Sequence, residues 1–118
     1  MDQRFSRHER LQLKRDFDRC FREGRAFHFP EITVRALPNG LPSSRLGLSV
    51  GRRHGGAVRR NRIKRLLREA WRLNKGALSA HCDVVFVPRA EWRDLRLAGI
   101  EPTVRKVLQR IEEAFGSR

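Results

Sequence analysis

Apolar residues recur at helical spacing at Leu13, Phe17, Cys20 and Phe21, which predicts a first helix over about 12–23. In that helix Leu13 and Cys20 serve as anchors to the rest of the fold, and Gly24 follows where a left-handed C-terminal cap is expected. The period then changes to two. Ile32, Val34 and Ala36 alternate with Thr33, Arg35 and Leu37, and after the turn signal Pro38-Asn39-Gly40 a second alternation runs from Arg45 to Val50. These predict two neighbouring strands. A glycine-punctuated loop, Gly51–Gly56, leads into the most strongly patterned segment, in which Val58, Ile63, Leu66, Leu67, Ala70 and Trp71 form an apolar stripe ended by Asn74 and Gly76. Asp83 to Pro88 is apolar on both faces and reads as a central strand, so that strand, helix and strand form a crossover unit. A last helix carries Val104, Val107, Leu108, Ile111 and Phe115 on one stripe, with Pro102 in its first turn. The segment from Arg89 to Gly99 contains Trp92 and Leu95, which are expected to fold back onto the core. The order is α-β-β-(β)-α-β-α, a single α+β domain over residues 1–118 with no repeat or linker.

Charge changes this picture from a fold to a binding protein. The 118 residues carry 27 Lys+Arg against 13 Asp+Glu, a net charge of +14, and such an excess calls for a polyanionic partner. Arginine supplies 23 of those cations, a bias toward the planar fork that grips phosphate bidentately, although genome composition would produce it too. Between Arg45 and Lys75 there are 11 basic residues and one acid, Glu69. An ordinary solvent face mixes signs, because like charges at i,i+4 repel. A one-sign face is the signature of a surface neutralised by nucleic acid. The cationic helix follows a strand and a glycine loop rather than a helix and a tight turn, which disfavours helix-turn-helix reading of DNA. Asn61 stands between Arg60 and Arg62, where its amide would hydrogen-bond a base edge or the backbone. Phe17 and Phe21 lie on one side of the first helix, either as core or as stacking platforms for unpaired bases.

Catalytic chemistry by the chain itself finds little support. His8, His28, His54 and His81 are dispersed, carboxylates are scattered, and the glycine loop lacks the phosphate-loop signature. Cys20 and Cys82 match no metal-ligand spacing and read as small buried apolar residues in a reducing compartment. No apolar run is long enough to cross a bilayer and no signal segment is evident, so a cytoplasmic location without membrane partners is expected.

The segment GLSVGRRHGGAVRRNRIKRLLREAWR, residues 47–72, closely resembles the bacterial ribonuclease P protein component family. Supporting pieces are Arg10-Leu11, Asp16-Phe17, Phe21 and Gly24, and Asp83-Val84-Val85 through Pro88-Arg89, so that the likeness spans about residues 7–111. The resemblance implies an α-β sandwich with a mixed sheet and a left-handed β-α-β crossover, where general rules favour right-handed. It implies the small subunit of a ribonucleoprotein that removes 5′ leaders from precursor tRNA, with Mg²⁺ held at the RNA active site and no cofactor on the protein. On matching positions it makes Arg52, Arg53, Arg60, Asn61, Arg62, Lys64, Arg65 and Arg68 contacts to the catalytic RNA. Phe17, Phe21, Arg35, Ser49 and Arg89 become the lining of a leader cleft, Arg35 standing where relatives can carry an aromatic residue. Partners would be the catalytic RNA and precursor tRNA, with no DNA. A structural RNA-binding module of the ribosomal-protein kind remains the alternative. A protein-only nuclease would need clustered carboxylates.

Overall fold

The computed structural model describes residues 7–89, 92 and 94–116. Its order is α1 (Lys14–Glu23), β1 (Arg25–His28), β2 (Ile32–Pro38), β3 (Arg45–Leu48), α2 (Ala57–Asn74), β4 (Cys82–Pro88) and α3 (Leu97–Phe115). The extra strand is β1, a short hairpin partner of β2 with Phe27 opposite Val34, and it precedes the two expected strands rather than following them.

The four strands form one mixed sheet in the order β1-β2-β4-β3. The strands expected to be neighbours, β2 and β3, are therefore separated by β4. It pairs antiparallel with β2, Val34 opposite Phe86, and parallel with β3, Leu46 opposite Val84. The reason is legible in β4 itself: Val84, Val85 and Phe86 are all fully buried, and a strand apolar on both faces gains most in the middle of a sheet. The connection through α2 is long enough to bring it there alongside β3.

One face of the sheet is covered by α2 and α3. Ile63, Leu67, Ala70 and Trp71 of α2 and Ile100, Val104, Val107, Leu108 and Ile111 of α3 close on Ile32, Val34, Ala36, Val84 and Phe86. Trp71 meets Phe86 edge-on with ring centroids 6.1 Å apart. Trp92 and Leu95 fold onto this core as expected. The other face carries only α1, whose Cys20 packs with Leu11 and Val85, flanked by Phe17, Leu37 and Val87. Both cysteines are buried free thiols, pushed up to about 11 by burial and by the neighbouring Asp83 carboxylate.

Four local expectations are corrected. Gly24 is not a left-handed cap: its φ of −74° and ψ of 154° are extended, because the chain runs straight into β1. A glycine is still needed there, since a Cβ would collide with the Cys20 carbonyl oxygen. Leu13 does not anchor α1; it is the N-cap residue and is 51% exposed. Val58, expected on the apolar stripe, is 87% exposed, because at 3.6 residues per turn it falls on the opposite side of α2 from Ile63 and Leu67. Pro102 sits inside α3 rather than in its first turn, because the helix starts at Leu97. It is exposed there, so the cost is one missing backbone bond on the solvent side.

Candidate nucleic-acid interface

The basic loop is built by backbone carbonyls that hold it against the end of β4. His54 is buried, and its Nε2–H donates to the Pro88 carbonyl at 3.0 Å, since a carbonyl only accepts. The Arg53 Nη2 donates to the same oxygen at 3.0 Å. Gly55, at φ +109°, turns the chain into α2, and Arg60 Nε then donates back to its carbonyl at 3.1 Å. Arg62 donates from Nε and Nη2 to the Leu95 carbonyl at 3.2 and 2.9 Å, fastening the segment before α3.

The predicted RNA-contacting residues thus divide in two. Arg53, Arg60 and Arg62 spend one or two donors on carbonyls, which fixes their direction and leaves further N–H groups pointing outward. The side chains of Arg52, Asn61, Lys64, Arg65 and Arg68 make no hydrogen bond or ion pair among the described residues. The Arg68 guanidinium is lowered from its ordinary value by partial burial and by the nearby Arg10 charge. A phosphate between the like charges of Arg68 and Arg10 would relieve their repulsion. Arg10, Lys64 and Arg68 line a small cavity of about 150 Å³ whose walls include Phe17 and Leu48.

Beside it lies the open face of the sheet. Phe17 is half-buried and Phe21 is 41% exposed, so neither is a full core residue. A Cβ on Gly47 would stand 2.6 Å from the Phe17 ring, so a glycine in β3 lets that ring lie directly on the strand. Gly47→Ala is expected to lift the ring and cost about 1–3 kcal/mol by overpacking, read by urea denaturation; an unchanged midpoint would show that the ring shifts freely. Strand alternation puts Arg35, half-buried, on the face that carries α1, while Ser49 and Arg89 follow the ends of β3 and β4 and are exposed. Arg35 also reaches the Gly24 carbonyl with Nη1 at 3.4 Å, tying the sheet to the end of α1.

What holds α1 over this face was not read from the sequence. Asp83, fully buried at the start of β4, accepts a fork from Arg45, Nε at 2.8 Å and Nη2 at 2.7 Å, and a bond from Asn39 Nδ2 at 3.0 Å. Arg19 of α1 pairs with it at 3.5 Å, and Asp16 of α1 pairs with Arg45 at 3.5 Å. Burial pushes the Asp83 carboxyl up, but the bonds from Arg45 and Asn39 and the charges of Arg45 and Arg19 outweigh it and hold the group below its ordinary value. One acid opening an otherwise apolar strand was the available signal.

No cluster of three or more His, Cys, Asp or Glu side chains suited to a metal occurs among the described residues, and the acids near the cationic face are engaged by arginines. This donor set does not fit a divalent ion. No helix among the described residues is long and apolar enough to cross a membrane.

An α+β domain with a strongly cationic helix beside an open, aromatic-bearing sheet face defines a nucleic-acid-binding protein. The ribonuclease P family profile matches residues 5–112. The ribonuclease P protein component of Thermotoga maritima is 39% identical over 116 residues, covering 95% of this chain and 99% of the relative. The solved structure of the T. maritima RNase P protein superposes with a TM-score of 0.80 at 38% identity, over 88% of this chain and 98% of that one. The Staphylococcus aureus RNase P protein superposes with a TM-score of 0.79 at 28% identity, over 88% and 95%. The chain belongs to the ribonuclease P protein component family, and it is thus the protein subunit of an endoribonuclease ribonucleoprotein whose partner is RNA.

Proposed function

We propose that the chain uses two surfaces at once: the α2 face grips the catalytic RNA, and the sheet face beside α1 takes the 5′ leader of precursor tRNA. The observation that carries this reading is the set Lys64, Arg65 and Arg68, three cations within five residues of one helix with no acid paired to them among the described residues. Arg52, Arg53, Arg60, Asn61 and Arg62 extend that face around the loop. Phe17 and Phe21 offer ring faces to unpaired leader bases, with Arg35, Ser49 and Arg89 supplying donors to their phosphates. The bond-breaking step belongs to the RNA and its Mg²⁺, and among the described residues the protein presents no carboxylate cluster for a metal. Two buried free thiols suit a reducing cytoplasm.

Reconstitution tests it. The chain alone is expected to leave precursor tRNA intact, and its addition to the catalytic RNA at low Mg²⁺ is expected to raise leader removal strongly. Cleavage by RNA-free protein, or no effect of the protein on the RNA's activity, would overturn the reading.

A further inference from the structure

The end of β4 touches both RNA surfaces. Along the parallel pair of β3 and β4, the Ser49 N–H donates to the Phe86 carbonyl at 3.0 Å, and the next rung of that ladder would join the Gly51 N–H to the Pro88 carbonyl. There the chain leaves the sheet for the turn Arg52–His54, in which the His54 N–H donates to the Gly51 carbonyl at 3.1 Å. Side chains take over the rung. Arg53 Nη2 and His54 Nε2–H both donate to the Pro88 carbonyl at 3.0 Å, and two donors fill both lone pairs of one oxygen.

The two donors differ in freedom. Arg53 is exposed on a long, flexible stem, whereas His54 is 5% exposed and its short ring is held by the packing around it. The buried histidine is therefore the fixed member of this clasp, and the arginine is the one that also faces solvent. The carbonyl they hold belongs to the peptide group whose N–H is that of Arg89, and this N–H donates in turn to the Glu31 carbonyl, between β1 and β2, at 3.0 Å. A peptide group is planar, so pinning its oxygen on one side and its N–H on the other fixes the plane from which Arg89 departs. Arg53 lies on the face assigned to the catalytic RNA and Arg89 on the lining assigned to the leader. The clasp joins them.

We infer that His54 is a positioning residue for leader recognition: it sets the Pro88–Arg89 peptide, and through it where Arg89 stands relative to the loop that grips the catalytic RNA. The inference rests on the proposed assignment of the two surfaces, and the experiment separates the two. The assembled ribonucleoprotein, with protein in excess over catalytic RNA, is titrated with precursor tRNA bearing a 5′ leader and with mature tRNA. His54→Leu keeps apolar volume and removes the donor, while His54→Gln keeps a donor nitrogen at the same number of bonds from Cα. His54→Leu is expected to lower the preference for precursor over mature tRNA about three- to tenfold, as for one hydrogen bond, and His54→Gln to restore it. In an Arg89→Gln background, where Phe17 and Phe21 still offer ring faces to the leader, His54→Leu is expected to change the preference little, because a residue that acts through Arg89 has nothing further to lose. Should leucine abolish the cooperative thermal transition, His54→Asn, whose amide is too short to reach the carbonyl, goes through the same cycle. An undiminished preference, an equal loss for both tRNAs, a loss that His54→Gln does not restore, or the same loss with Arg89→Gln overturns the role of His54 and leaves the two-surface reading standing. A parent holoenzyme with no preference for the leader overturns both.

Discussion

Asp83→Asn is expected to cost about 3–5 kcal/mol of stability at neutral pH, the range for removing one partner of a buried ion pair. Arg45 is held at 20% side-chain exposure by its fork onto this carboxylate, and an amide presents one oxygen and a competing N–H₂ to a guanidinium that needs two acceptors. The pH dependence follows from the direction of the shift. The folded carboxyl lies below its ordinary value, so its stabilisation is complete above the unfolded value of about 3.9 and is lost as pH falls through the lower folded value. Urea denaturation of parent and variant at pH 7 and near pH 3 checks this: the gap should be large at the first and narrower at the second. A loss below about 1 kcal/mol at pH 7, equal at both, would mean that burial and packing hold α1 without the network. The consequence for function is positional, because Arg19 and Asp16 connect the network to the helix that carries Phe17 and Phe21.

The second large effect is on binding. Lys64→Gln, Arg65→Gln and Arg68→Gln together are expected to lower the slope of log affinity against log salt by about 2–3, at roughly 0.7–0.9 per phosphate contact. Affinity for the RNA partner at moderate salt should fall on the order of 100-fold. Thermal stability should hold or rise slightly, because Lys64 and Arg68 are like charges at i,i+4 whose repulsion is relieved. Filter binding across a salt series, with unfolding curves alongside, distinguishes the outcomes. An unchanged slope with a large fall in melting temperature would make these residues structural. Arg60 and Arg62 are poorer subjects, since each holds a backbone carbonyl and its loss would disturb the loop as well as the contact.

The sequence by itself determined the elements and the charge. The helical stripes, the period-two strands and the doubly apolar Asp83–Pro88 segment specify their own local structure, because periodicity decides which face of each element is buried. The strongly basic segment from Arg45 to Lys75 determined a polyanionic partner, because charge density does not depend on fold. Tertiary structure decided the rest. Only the sheet order shows that β4 separates β2 from β3, since pairing is a choice among strands that each satisfy their own pattern. Only packing separates Leu13, exposed, from Cys20, buried on the same stripe, because a stripe is covered only where the sheet reaches it. Which arginines hold carbonyls and which face outward is likewise set by distance in space. Arg62 and Leu95 are 33 residues apart, and Arg45 and Asp83 are 38 apart. No local pattern encodes either contact, and both depend on the crossover that brings β3, α2 and β4 together.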